Sequence, residues 1–228
     1  MTDAKKALMT IAIDGTAGVG KSSVGKAVAL KYGLSFLSTG QMYRCLGWKA
    51  LSSGIDMDDA EAVTRAAKNI VWGFERQPDS SLKVLIDGQY LGDKLQLEEV
   101  GRAASKTSAI PEARSVIMQK QIDLGKKGGI VMEGRDIGTV ICPDAPVKIY
   151  LTAAPEARAA RRVKQLEEQG EKADYENILA SIISRDERDS NRAVSPLKPA
   201  EDAIIIDTSA LNLEQVIDKV LEAVAKVW

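Results

Sequence analysis

Three features of the chain predict an α/β fold: a parallel sheet flanked by helices, with an inserted α+β segment. An apolar run, Ile11-Ala12-Ile13, leads into a glycine-rich loop and then a helical pattern, which is the opening of a strand–loop–helix unit. Apolar strand runs followed by helical patterns recur at Ser35-Phe36-Leu37, Gly129-Ile130-Val131-Met132, Val147-Lys148-Ile149-Tyr150-Leu151 and Ala203-Ile204-Ile205-Ile206, as a parallel sheet requires. In the middle, Ile70, Trp72 and Phe74, and then Leu82, Val84 and Ile86, alternate around the turn Gln77-Pro78-Asp79-Ser80-Ser81. That is an antiparallel hairpin, foreign to a parallel sheet. Residues 1–66 and 128–228 are therefore assigned to a core and residues 67–127 to an inserted subdomain.

The first unit carries the most specific signal. Gly15-x-x-x-x-Gly20-Lys21-Ser22 fits the phosphate-binding loop template, with a strand before it and a helix after it. Glycines at 15, 18 and 20 allow backbone conformations closed to other residues, so several N–H groups can converge on one anion. From Lys21 the pattern is helical, with Val24, Ala27 and Val28 on one face and Gly33 as the stop, which aims a helix N-terminus at the same anion. A nucleoside triphosphate is expected here, Lys21 bridging its terminal phosphates and the Ser22 hydroxyl holding magnesium.

Composition limits the rest. The 228 residues suit one α/β domain with an insertion. With 45% hydrophobic but only 4% aromatic residues, the core must be aliphatic and alanine-rich. A net charge of −1, from 31 basic and 32 acidic residues, argues against nucleic acid as the main partner. Cys45 and Cys142 lack CxxC spacing and are expected as buried thiols in a reducing cytoplasm. The opening residues MTDAKK predict no signal peptide, and no apolar stretch reaches membrane-spanning length. There is no histidine, so any chemistry must run on Lys, Arg, Asp, Glu and a hard cation.

The remaining elements follow in order. Ser38-Thr39 stands as an N-cap before a helix to about residue 53, with Arg44 near its start, where a cation is useful only beside an anion. Within the insertion, helical stretches at about 97–106 and 112–126 are separated by Ile110-Pro111. The strand at 129–132 runs into Glu133-Gly134-Arg135-Asp136, and Pro155 opens a helix bearing Arg158, Arg161 and Arg162. The polar Glu167–Lys172 segment falls in a short lid region, residues 163–174. On the next helix, Asp174 to about Asn191, the positions of Arg185, Arg188 and Arg192 fall within about 60° of one another with Asp189 at their edge, beside an apolar side of Tyr175, Ile178, Ile182 and Ile183. Arg188 and Arg192 repel each other unless something anionic lies between them. Asn212 and Gln215 form a capping box for the last helix.

No Asn-Lys-x-Asp segment follows a late strand, which weighs against a guanine-reading switch. Arginines spread over several elements suit a transferring phosphoryl group clamped from several sides. The segments GTAGVGKSS, STGQMYR, EGRDIGTVICPDAPVKIYL and RDERDSNRAVSPL, in this order around a hairpin-bearing insertion, resemble those of the bacterial cytidylate kinases, nucleoside monophosphate kinases of the P-loop class. The resemblance spans nearly the whole chain. Two departures are visible: Thr16 replaces the usual Pro, and Ser38 and Gln41 stand in a segment that more often reads Asp-Thr/Ser-Gly-Ala.

The resemblance implies a P-loop nucleoside monophosphate kinase fold, in which the insertion binds the monophosphate. It implies an enzyme that moves the γ-phosphoryl of ATP, with magnesium, to CMP or dCMP. ATP would bind at Gly15, Thr16, Ala17, Gly18, Val19, Gly20, Lys21, Ser22 and Ser23, with Arg158 and Arg162 approaching its phosphates. Arg44, Arg135 and Arg192 would hold the acceptor phosphate; Arg185, Asp189 and Thr39 would lie near the ribose; Ser105, Arg114 and Asp136 would read the cytosine. Lys21, Arg135, Arg192 and Asp136 make the catalytic set. The insertion is expected to close onto the core when the monophosphate binds, in a cytoplasmic monomer. Two rivals remain: a kinase of the same fold with UMP, AMP or shikimate as acceptor, and a non-enzymatic nucleotide sensor.

Overall fold

The computed structural model describes residues 8–192 and 194–227. Strand β1 (Thr10–Gly15) is buried along its whole length. Helix α1 (Lys21–Tyr32), β2 (Ser35–Ser38) and α2 (Gly40–Ser52) follow. Next come α3 (Ala60–Lys68), β3 (Trp72–Arg76), β4 (Leu82–Ile86), β5 (Gln89–Tyr90), α4 (Glu98–Thr107) and α5 (Pro111–Lys127). The chain continues through β6 (Ile130–Gly134), β7 (Val147–Thr152), α6 (Pro155–Glu168), α7 (Tyr175–Ser190), β8 (Ile204–Asp207) and α8 (Leu213–Ala225).

Five strands form one parallel sheet in the order β2-β6-β1-β7-β8. Central β1 has Ile11 beside Val131 on one side and beside Val147 on the other. A separate antiparallel sheet, β3-β4-β5, sets Phe74 opposite Val84, so the alternating stretches do pair as a hairpin.

Successive residues of a strand face opposite sides, and a parallel sheet must be covered on both. Ile11 and Ile13 enter one apolar cluster with Val24 and Val28 of α1 and Val216 and Val220 of α8. Ala12 enters the other, with Leu37, Met132, and Val84, Ile86, Val100, Ala113 and Ile117 from residues 82–117. The antiparallel segment and the second face of the parallel sheet thus share a single core. Its largest fully buried side chains are Ile, Leu and Met, as the low aromatic content requires. Each such burial contributes about 1.5–3 kcal/mol.

Gly33 ends α1 in the left-handed conformation, Asp174 caps α7 by accepting from the Asn177 N–H, and the Asn212–Gln215 box is complete. The cap expected at Ser38-Thr39 is a correction. Thr39 makes no side-chain cap, because its hydroxyl donates to the Glu133 carbonyl at 2.8 Å while the Ser38 hydroxyl donates to the Glu133 carboxylate. The apolar positions of α7 stay out of the core, and none of its residues is buried. Helix α3 is anchored by the Asp59 carboxylate accepting from the Ala62 N–H and buries Val63, Ala66 and Ala67 along one face.

Candidate active site

The loop leaves β1 where nothing larger than glycine fits: a Cβ at Gly15 would lie 2.0 Å from the Leu151 carbonyl oxygen. Gly18 and Gly20 then hold φ near 80° and 89°, turning the backbone into the start of α1, while Val19 is buried beneath it. Lys21 is 6% exposed, and its Nζ donates to the carbonyls of Gly15 and Thr16 at 2.9 and 2.6 Å. Burial, helped by the nearby charge of Arg135, lowers its pKa to about 7. Among the described residues no carboxylate pairs with this ammonium, and a buried cation so placed is a site in want of an anion. Ser22 Oγ donates to Glu133 Oε1 at 3.1 Å, and Ser23 faces outward. The buried Thr16 hydroxyl has no hydrogen-bond partner among the described residues.

Arg158 is 2% exposed and uses three of its five N–H donors within the protein. It donates to the carbonyls of Ala153 and Ala17 at 3.0 and 3.2 Å and to Asp186 Oδ2 at 2.5 Å, so it ties the loop to α6 and α7. Arg162 lies exposed, donating to Gln165 at 2.9 Å. Both arginines line a cavity of about 430 Å³ beside Ala17 and Gly18, walled by α6 and α7.

On the other side, Asp189 bridges two arginines. Its Oδ2 accepts from Arg135 Nε at 2.8 Å and its Oδ1 lies 3.1 Å from Arg192 Nη2. Burial pulls the Asp189 carboxyl up, but Arg135, Arg192 and Arg185 together hold it below its usual value. Arg185 lies within Coulombic range of Arg135, Arg44 and Arg188. Arg44 is anchored by donating to the Leu95 carbonyl at 2.7 Å, and Thr39 is buried under the Glu133 carbonyl. Arg135, just past β6, with Arg185 and Arg192, on and just past α7, thus converge around one carboxylate, Asp189, that cannot neutralise all three, and Arg44 of α2 lies within Coulombic range of Arg185.

Deeper in, Arg114 from α5 donates to Asp136 Oδ2 at 2.8 Å, and both are buried. The guanidinium lies 5.2 Å from the centre of the Tyr43 ring. Arg114 Nε has no hydrogen-bond partner among the described residues. Ser105 is exposed on α4 and accepts from Arg188 Nη1 at 3.4 Å.

Three acids were not anticipated as site residues: Asp14, Glu133 and Asp186. Asp14 and Glu133 end adjacent strands of the sheet, where a parallel sheet offers its ligand edge; that position was the available signal. Glu133 accepts from both Ser22 and Ser38. Among the described residues no group of three or more His, Cys, Asp or Glu could hold a metal ion. Ser22 and Glu133 fit a magnesium ion held chiefly by phosphate oxygens and water, as this cation prefers. The arrangement can bind a polyphosphate in the loop and a second anion among the arginines, with Lys21 between.

A family model described as cytidylate kinase matches residues 11–226. A cytidylate kinase of Pasteurella multocida is 41% identical over 213 residues, covering 93% of this chain and 93% of that protein. One from Rhodococcus opacus is 42% identical, covering 96% and 95%. A bifunctional pantoate ligase/cytidylate kinase of Synechococcus sp. is 45% identical over 92% of this chain, but the match spans only 39% of that longer protein. A crystal structure of an uncharacterized protein from Eubacterium ventriosum aligns with a TM-score of 0.52 at 14% identity, over 96% of this chain and 99% of that one, which speaks to the fold alone.

Proposed function

The chain belongs to the cytidylate kinase family, and from that premise we propose that it transfers the γ-phosphoryl group of ATP to CMP or dCMP, giving ADP and CDP or dCDP. The observation that carries this reading is the placement of Lys21, buried on the Gly15 and Thr16 carbonyls, within Coulombic range of Arg135, which Asp189 ties to Arg192. It gives the donor loop and the acceptor arginines one focus, where the transferring group develops its charge.

Lys21 exchanges the Gly15 and Thr16 carbonyls for phosphate oxygens. Arg44, Arg135 and Arg192 hold the acceptor phosphate, with Arg185, Asp189 and Thr39 at the ribose and Ser105, Arg114 and Asp136 at the base. The acceptor's phosphate oxygen, already anionic, attacks the γ-phosphorus as its bond to the departing ADP oxygen breaks, so no residue need take a proton. Arg162 and Arg158 approach the donor phosphates, Arg158 with the two N–H groups left over from its bonds to Ala153, Ala17 and Asp186, which also fix the loop. Ser22 and Glu133 would hold magnesium, whose chemistry is to neutralise charge on the phosphate oxygens.

Residues 67–127 serve in this reading as the monophosphate-binding subdomain and residues 163–174 as a lid. The near-zero net charge supports small-molecule partners over nucleic acid. No helix among the described residues is long and apolar enough to cross a membrane, and Cys45 and Cys142 are free and buried. A cytoplasmic monomer is part of the same proposal. ADP release measured with CMP, dCMP, UMP, AMP and shikimate tests the whole reading. Turnover with CMP or dCMP is expected to dominate; dominance of another acceptor, or no release with any, overturns it.

A further inference from the structure

Asp14 lies outside the contacts described for the reaction, yet its placement joins the two halves of the site. It is the last residue of β1 before Gly15, so its backbone feeds the donor loop, and it pairs in register with Gly134, the residue before Arg135 and Asp136. Its side chain, 4% exposed, turns toward the segment that follows those two residues. Oδ1 accepts from the Ile137 N–H at 2.8 Å and Oδ2 from the Gly138 N–H at 2.7 Å.

Those N–H groups would otherwise lack partners. From Asp136 the chain enters a wide single turn, Ile137–Ile141, closed by the Val140 and Ile141 N–H groups donating to the Asp136 carbonyl. The first N–H groups of any helical turn point outward unpaired. Here a carboxylate from a neighbouring strand receives two of them, acting as a cap supplied from outside the turn. The turn is confined on other sides as well. A Cβ at Gly134 would lie 2.8 Å from both Ile137 Cδ1 and Thr39 Oγ1, and the Lys148 stem covers Gly138, where a Cβ would be 3.2 Å from its Cδ. The backbone of Asp136, whose carboxylate holds Arg114, is thus pinned by one acid that contacts neither nucleotide site directly.

We propose that Asp14 is a positioning residue for the acceptor: by gripping the Ile137 and Gly138 N–H groups it fixes Arg135 and Asp136 against the donor loop, and so sets monophosphate affinity and base selection. This rests on the function proposed above. Burial pushes the Asp14 carboxyl up to about 6 against the pull of the two N–H bonds, which leaves it charged at neutral pH.

The test is calorimetric titration of the full chain and its Asp14→Asn variant with CMP and, separately, with ADP, together with the CMP:UMP ratio of kcat/KM. An amide keeps one acceptor and opposes the other N–H with a donor. The CMP Kd is expected to weaken roughly tenfold, the loss of about one charge-assisted bond, and the CMP:UMP ratio to fall, while the ADP Kd stays within about threefold. Equal weakening for CMP and ADP, or a lowered melting temperature with both affinities unchanged, overturns the proposal. If Asp14→Asn does not fold, Gly138→Ala decides. Its Cβ would press on the Lys148 stem at 3.2 and 3.3 Å and touch Asp14 Oδ2 at 3.4 Å, so it shifts the backbone that Asp14 grips without removing the charge. CMP affinity must then drop by about threefold with ADP unaffected; unchanged CMP affinity sinks the idea. Failure of the unaltered protein to bind CMP counts against the proposed function instead, and so separates the two.

Discussion

Arg114 Nη2 and Asp136 Oδ2 lie 2.8 Å apart with both side chains buried. Removing one member of such a pair leaves an unpaired buried charge and costs about 3–5 kcal/mol, so truncation would confuse stability with recognition. Asp136→Asn is the gentler change. A carboxylate only accepts, which favours the N4 amino group of cytosine and repels the O4 of uracil, whereas an amide can turn a donor toward O4. The CMP:UMP ratio of kcat/KM is expected to fall by about tenfold, from roughly 1–3 kcal/mol per misread contact. An unchanged ratio with lower activity would assign Asp136 to the phosphate arginines.

Lys21→Ala is expected to leave a folded protein with nearly abolished turnover. Its ammonium makes only two carbonyl contacts in the loop, and the fold has other anchors there in Val19 and the Arg158–Ala17 bond. Loss of one preorganised stabiliser of developing charge costs on the order of 3 kcal/mol, about a hundredfold or more in kcat. Near-normal kcat in a protein with a native circular dichroism spectrum would refute the phosphate-loop assignment.

The lowered pKa of Lys21 also predicts a proton linkage. Burial first, and Arg135 second, bring it to about 7, so the free protein loses this proton as pH rises through 7. Bound phosphate favours the charged form and raises the pKa. Nucleotide binding should therefore take up a proton at pH 8 and almost none at pH 6. ADP titrations in buffers of different ionisation enthalpy measure this directly. Uptake that is equal at both pH values, or absent in both, contradicts it, and Lys21→Ala should abolish the pH 8 signal.

Much of this was legible in the chain, for reasons that differ by element. β1 and its loop are local: an apolar run, three glycines at fixed spacing and a following helix need nothing distant. The hairpin likewise rests on alternation about one turn. The cap at Ser38-Thr39 was not legible, because Glu133, 94 residues from Thr39 in sequence, captures both hydroxyls. The same holds for Asp14, whose partners lie 123 and 124 residues away. Arg158 was readable as basic and near the loop, but not as tied to Ala153, Ala17 and Asp186. Periodicity predicted an apolar side on α7, and only the packing reveals that this side borders a cavity in place of the core.

That last difference bears on which part of the molecule moves. Closure of the whole insertion, expected from the chain alone, would have to disturb the core that Val84, Val100 and Ile117 share with Leu37 and Met132. Helix α7 is held differently. It buries no residue and is fastened by Arg158–Asp186 and Arg135–Asp189, arginines that bound phosphates would recruit or repolarise. Local stability follows apolar burial, so amides of α7 should exchange with solvent far faster than those of α5, whose Ala113 and Ile117 are fully buried. Adding CMP with a non-hydrolysable ATP analogue should slow exchange in Tyr175–Ser190 by about tenfold or more, with little change in Pro111–Lys127. Hydrogen exchange read by mass spectrometry resolves both segments. If protection instead rises mainly across residues 72–107 while α7 stays unchanged, closure belongs to the insertion, and the two arginine–aspartate bridges on α7 are fixed struts.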